Sequence, residues 1–343
     1  MNSQQLIEIA TSLVGTGKGL LAIDESNSTC DKRFAKLGIP QTIAARRRYR
    51  DLIITTARLG EDISGVILYD ETIRQQTEAG APFIDVLSNA GIIPGIKVDT
   101  GAKDLAGYPG EKVTEGLDGL RDRLRAYFKM GARFAKWRAV IAIDDRRPSR
   151  GCIEANAHAL ARYAALCQEA GLVPVVEPEV LMDGDHTLQR CREVTAEFLR
   201  TVFDQLHGQR VLLEGMILKP NMVLPGLACS HQESVDEVAL ATVKCLLEVV
   251  PAAVPGIAFL SGGQTGELAS ARLNAMHAKS ESMPSPLPWA LTFSFGRAIQ
   301  QPALGIWSGE EAHRGAAQEA LLHRAQCNRA ARRGEYVVAM EPT

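Results

Sequence analysis

The sequence predicts a (β/α)8 barrel of the TIM type, with extra helices after the first and third strands and at the C-terminus. Three observations carry that prediction. Short apolar runs, each closing on a polar or glycine cluster, recur eight times. Amphipathic stretches of helix length lie between them, for instance residues 155–170, 188–206 and 235–249. No linker rich in Pro, Gly or Ser divides the 343 residues, so one domain spanning 1–343 is expected.

The eight runs are residues 20–24, 63–70, 92–99, 134–141, 173–179, 216–221, 257–263 and 291–297. Strands that alternate with helices pair in parallel, because a parallel crossover needs a connection of helix length. Eight such units close into a barrel. An open doubly wound sheet shares the alternation and is the rival architecture. The longest connections, 25–62 and 100–133, have room for further helices. Beyond the eighth run, residues 310–332 read as one helix with Ala and Leu on one side, and a short tail begins at about Gly334.

Composition narrows the function classes. Hydrophobic residues at 46% and charged residues at 23% suit a globular chain that buries one large core. Net charge is −2, which argues against a nucleic-acid or membrane-surface protein. Arg46, Arg47, Arg48 and Arg50 are the densest basic cluster, expected as a solvated helix face. No apolar run approaches the ~18 residues of a membrane span. Seven cysteines without a Cys-x-x-Cys pair fit reduced, buried thiols. Residues 1–11 carry no signal-peptide pattern, so a cytoplasmic location is expected.

The chemistry gathers where the predicted strands end, which in a barrel is where working residues stand. The first strand ends in Asp24 and the third in Lys97; the fourth carries Lys136 and Arg138, and the fifth Glu177 and Glu179. Residues two apart share a face of a strand, and an inward charge without a partner is costly. Lys219 follows the apolar run Met216-Ile-Leu218, and most strand-end lysines are merely solvated. Here, desolvation and the charges of Lys136 and Arg138 favour a free amine, the form that attacks a carbonyl. Glu177, Glu179 and Asp24 are candidate acids and bases.

Anion sites flank this lysine. Ser261-Gly262-Gly263 offers unobstructed backbone N–H groups, and Ser294 and Arg297 follow one strand later. A structural turn is the plain reading of Ser-Gly-Gly, but Arg297 tips it towards phosphate. A second anion site is expected from Asp24-Glu-Ser26, Thr29, Arg33 and Lys97. Two phosphate sites around a reactive lysine describe a bisphosphorylated sugar. The seven histidines form no His-x-His or His-x-x-x-His set, so neither a metal nor another cofactor is expected.

Seven motifs resemble the class I fructose-1,6-bisphosphate aldolases. They are Leu21-Ala-Ile-Asp-Glu-Ser26, Gly95-Ile-Lys-Val-Asp99, Ala135-Lys-Trp-Arg138, Val176-Glu-Pro-Glu-Val-Leu181, Leu218-Lys-Pro-Asn-Met222, Phe259-Leu-Ser-Gly-Gly-Gln264 and Trp289-Ala-Leu-Thr-Phe-Ser-Phe-Gly-Arg297. They run in the family's order over residues 20–333. The resemblance implies that Lys219 forms the Schiff base and Glu177 handles the hydroxyl protons. It sets Asp24 beside the imine and Lys136 as the aid to carbinolamine formation. Ser261, Gly262 and Arg297 match one phosphate site; Ser26, Thr29, Arg33 and Lys97 match residues around the other. A homotetramer is also implied, and residues 24–30 look closer to plastid-type members than to animal ones. Two departures stand out. Thr100 replaces an expected Lys, and the chain's last tyrosine is Tyr336, where relatives end in a tyrosine-bearing segment. Alternatives are a related Schiff-base lyase, one preferring sedoheptulose bisphosphate included, or a barrel serving only as a scaffold.

Overall fold

The computed structural model describes residues 3–15, 17–281 and 285–341. Helix α1 (Ser3–Val14) precedes strand β1 (Gly19–Ala22), and α2 (Asn27–Ala35) and α3 (Ile43–Ile54) fill the long connection to β2 (Ile63–Leu68). α4 (Asp70–Ile73) and α5 (Phe83–Asn89) lead to β3 (Ile93–Lys97). A hairpin, β4 (Gly101–Asp104) with β5 (Lys112–Glu115), and α6 (Leu120–Met130) lead to β6 (Phe134–Ile141). Strand and helix then alternate: α7 (Arg150–Glu169), β7 (Val173–Val180), α8 (Leu188–Gly208), β8 (Ile217–Leu218) and α9 (Val235–Val249). β9 (Gly256–Phe259), α10 (Gly266–Glu281), β10 (Ala290–Phe295), α11 (Arg297–Trp307) and α12 (Arg314–Arg332) complete the chain.

The barrel closes in the order β1-β10-β9-β8-β7-β6-β3-β2, with all eight pairs parallel. Closure excludes the open-sheet rival. Each of the eight predicted runs contains or overlaps one barrel strand. The bond ladder at β8 is only two residues long, yet the chain stays in register, since Lys219 N donates to Val176 O at 2.8 Å.

One end of the barrel is plugged by α1, an element the sequence reading did not assign. Its Leu6, Ala10, Leu13 and Val14 pack against Leu20, Ile67, Phe134, Val173 and Ile217 in a cluster of their own. Two strand glycines make that approach possible. A Cβ on Gly65 would sit 2.7 Å from Leu13, and one on Gly256 2.6 Å from Val14. With one end filled, the opposite end, where the βα loops start, is left for a cavity.

Three expectations need correction. Residues 100–133 hold a hairpin and one helix where extra helices were expected; Gly107, Gly110 and Gly116 all have positive φ, which bends the segment into turns. Residues 310–332 are not one helix, because a separate 3-10 turn at Glu311–His313 precedes α12. The arginine cluster is not a solvated face. Arg50 is 2% exposed and pairs with Glu25, while Arg46 bridges Asp31 and Glu71. Carboxylates from α2 and α4, and from the loop before α2, account for this, and no pattern within α3 signals them. All seven cysteines are free, six of them buried. Among the described residues no helix is long and apolar enough to cross a membrane.

Candidate active site

Four charged side chains meet inside the open end of the barrel. Lys219, one residue past β8, has its Nζ 3.1 Å from Glu177 Oε1 on β7. Lys136 on β6 has its Nζ 3.1 Å from Glu177 Oε2 and 2.6 Å from Asp24 Oδ2. Parallel register explains the meeting. Lys136 lies opposite Val175, so Glu177 is two residues further along and on the same face. All four are buried, none more than 9% exposed.

Burial opposes charge here, and mutual pairing reverses it. Desolvation alone would raise the Asp24 pKa, but Lys136 and Lys219 pull it down to about 2. Burial would likewise raise the Glu177 pKa, and the same two lysines hold it below its ordinary value. Lys136 is the mirror image: burial disfavours its charge, yet Asp24 and Glu177 carry its pKa above the usual lysine value. The cluster is therefore a relay of two carboxylates and two amines, with Glu177 shared between the amines.

Arg138 shares its strand face and the cavity with Lys136, as expected, but stands two residues nearer the mouth. Its side chain is 43% exposed and paired with Glu179, above the relay at the rim. Glu179 is itself buried, and this contact raises the arginine's pKa.

The predicted anion groups flank the relay around a cavity of about 660 Å³. On one side stand Ser261, Gly262, Ser294 and Arg297. Gly262 and Gly263 have φ of +56° and +85°, a left-handed turn that favours glycine. Arg297 opens α11, adding a guanidinium to the free N–H groups of a helix start. The Ser294 hydroxyl is buried and makes no hydrogen bond among the described residues. Gly263 faces a neighbouring hollow shared with Arg297, not the cavity itself.

Across the cavity the second set is more engaged. Ser26 caps α2 by accepting from Thr29 N at 3.3 Å, and its Oγ is 3.0 Å from Thr29 Oγ1. Arg33 pairs with Glu25 and donates to Gln300 Oε1 at 3.2 Å. Lys97 pairs with Asp99 at 2.8 Å. Sequence reasoning passed over Asp99, which also accepts the N–H groups of Gly101 and Arg138 and so ties β3 to β6. It also missed Lys32 and Lys36, whose spacing with Arg33 on α2 brings three cations to the rim. That basic run begins six residues after Ser26 and was readable.

Residues 5–343 match the family described as "Fructose-bisphosphate aldolase class-I". The chain belongs to the class I fructose-bisphosphate aldolases. It is 57% identical over 337 residues to the "Probable fructose-bisphosphate aldolase class 1" of Xanthomonas campestris, covering 98% of this chain and 99% of that protein. It is 48% identical to fructose-bisphosphate aldolase C of Mus musculus, over 97% of this chain and 91% of the mouse protein. Among solved structures, the aldolase of Plasmodium falciparum, in complex with TRAP and a small-molecule inhibitor, superposes with a TM-score of 0.94 at 47% identity. That match covers 97% of this chain and 95% of the other. A class I aldolase is a lyase of glycolysis, and the relay and its flanking anion groups stand at the end of the barrel where such a fold keeps its chemistry.

Proposed function

We propose that this aldolase cleaves fructose 1,6-bisphosphate through a Schiff base on Lys219, with the relay around it handling the protons. The observation that carries the reading is the contact of Lys219 with Glu177 at 3.1 Å inside a buried, charge-balanced cluster. The Lys219 amine adds to the C2 ketone, and Lys136 assists formation of the carbinolamine. Glu177, having taken the proton that Lys219 gives up to become a free amine, returns it to the departing hydroxyl as water leaves. The iminium then draws the electron pair of the C3–C4 bond as Glu177, with Asp24 beside it, takes the C4 hydroxyl proton. Glyceraldehyde 3-phosphate departs, C3 of the enamine takes a proton, and water hydrolyses the imine to release dihydroxyacetone phosphate and the free lysine.

Ser261, Gly262, Ser294 and Arg297 are assigned to one phosphate, with Gly263 shaping the turn behind them; Ser26, Thr29, Arg33 and Lys97 surround the other. Arg138 with Glu179 gives electrostatic support at the rim. Borohydride reduction in the presence of dihydroxyacetone phosphate, followed by peptide mapping, tests the assignment. The adduct belongs on Lys219; a label on another lysine, or none, overturns it.

Several finer readings go with this one. Residues 1–343 are proposed as one domain, working as a cytoplasmic homotetramer that binds neither nucleic acid nor membrane. Light scattering giving a monomer at working concentration would remove the tetramer. The 24–30 segment supports kinship with plastid-type members, and a tree grouping the chain with animal enzymes would overturn that.

A further inference from the structure

We propose that His323, Cys327 and Glu341 form a binding site for a zinc-class divalent cation, which clips the C-terminal segment onto α12. The site is remote from the catalytic relay and takes no part in the chemistry proposed above.

His323 and Cys327 are four residues apart on α12, so their side chains stand on one face, one turn above the other. Cys327 Sγ is 3.5 Å from His323 Nε2, and that nitrogen is 3.8 Å from Glu341 Oε2. One ligand atom from each residue lies within 4.8 Å of the other two. Zinc bonds of about 2.0–2.3 Å at tetrahedral angles separate neighbouring ligand atoms by roughly 3.3–3.7 Å. Three corners of such a tetrahedron are thus nearly in place, and small side-chain movements complete them. A thiolate, an imidazole and a carboxylate form a donor set that suits zinc and not magnesium or calcium.

The carboxylate carries a second, independent sign. Its two oxygens have separate duties: Oε1 accepts from Arg324 and from the Tyr336 hydroxyl at 2.8 Å, while Oε2 is the one turned to His323. Outer partners that fix a carboxylate in this way are what orient the ligands of a metal. The His323 side chain is 36% exposed, which gives a cation an entry path and leaves a fourth position for water. Cys327 is buried, which keeps the thiol in place beneath them.

The clip would order more than its ligands. Gly334, at φ +73°, turns the chain back after α12, and Tyr336 N donates to Asn274 Oδ1 on α10 at 2.9 Å. Arg324, held by Glu341, donates in turn to Ser270 Oγ on α10 at 2.8 Å. A cation bound to Glu341 therefore fastens the tail to two helices at once.

The test uses the full-length, reduced, metal-stripped protein titrated with Co²⁺ as an optical probe. One equivalent should give a thiolate-to-cobalt absorption band that Zn²⁺ displaces, and bound metal should slow tryptic cleavage at Arg332 and Arg333. Cys327→Ser should abolish the band. Because that thiol is buried, Glu341→Gln serves as a second variant; it should fold normally by circular dichroism and weaken cobalt binding at least about tenfold. Absence of the band in the wild type overturns the proposal. So does unchanged affinity in Glu341→Gln, which takes the tail's carboxylate out of the ligand set, or a band that persists in Cys327→Ser, which places the metal on a different cysteine.

Discussion

Asp24 of the first βα loop holds Lys136 of β6 at 2.6 Å, although β2 and β3 stand between their strands in the closed sheet. The contact therefore crosses the barrel interior. It gives each buried charge a partner, and removing one partner from such a pair costs more than the pair itself contributes.

A pH dependence follows from this pair. The Asp24 pKa in the folded state is about 2, below the ordinary 3.8, so the unfolded chain binds that proton more readily. Its stabilising effect is therefore complete above about pH 5 and is lost as the pH falls towards 2, an effect on the order of 2 kcal/mol. Glu177 is shifted in the same direction and adds to it. Urea midpoints measured between about pH 6 and 2 should fall more steeply for wild type than for Asp24→Asn. Parallel profiles would show that Asp24 contributes nothing to acid sensitivity.

Lys219→Met should abolish cleavage, with turnover reduced at least ~10³-fold, or about 4 kcal/mol of barrier. The fold should survive, because Glu177 keeps Lys136 as its partner. Near-wild-type turnover with an unchanged circular dichroism spectrum would exclude Lys219 as the nucleophile.

Arg297→Ala should weaken binding of dihydroxyacetone phosphate more than binding of an unphosphorylated ketose. A charge-assisted contact to phosphate is worth roughly 2–3 kcal/mol, about 30- to 150-fold in Kd. Calorimetry with both ligands decides, and equal losses would make Arg297 a structural residue at the start of α11.

Cleavage should be unchanged by excess chelator. The iminium is the electron sink in the proposed route, so no step calls for a divalent ion. Stripping a cation from the α12 site would loosen the tail and leave turnover alone. A rate that falls with chelator and returns with a divalent ion would contradict the lysine mechanism.

Strand ends were legible in the sequence because a parallel barrel strand is buried on both faces, and its apolar run stops abruptly where the loop begins. That is why Lys136, Glu177 and Lys219 could be picked out, and why they meet. Groups whose partners lie on distant elements were hidden. The burial of Arg50 depends on Glu25, and Asp99 earns its place through Arg138 N on the next barrel strand. The His323–Cys327 pair escaped for a different reason. A search for paired histidines does not see a histidine and a cysteine one turn apart, nor a carboxylate returned to them by the chain's own tail.

The tail itself allows a last prediction. The family resemblance implies a tyrosine-bearing C-terminal segment that exchanges the enamine's proton. Here the hydroxyl of Tyr336, the last tyrosine, is bonded to Glu341, and Glu341 is bonded to Arg324. Pro342 and Thr343 lie outside the described residues, and none of residues 334–341 lines the cavity around Lys219. Deleting residues 338–343 should therefore change turnover with fructose bisphosphate by less than about threefold, under ~0.7 kcal/mol of barrier. The same deletion strips the buried Arg324 of its carboxylate, so a stability loss of roughly 1–3 kcal/mol should accompany it. Enamine protonation would then rest on Glu177 or on water. Turnover, detritiation of labelled dihydroxyacetone phosphate and a urea titration of the truncated enzyme separate the two effects. A large, selective fall in proton exchange at unchanged stability would return the proton transfer to this short tail.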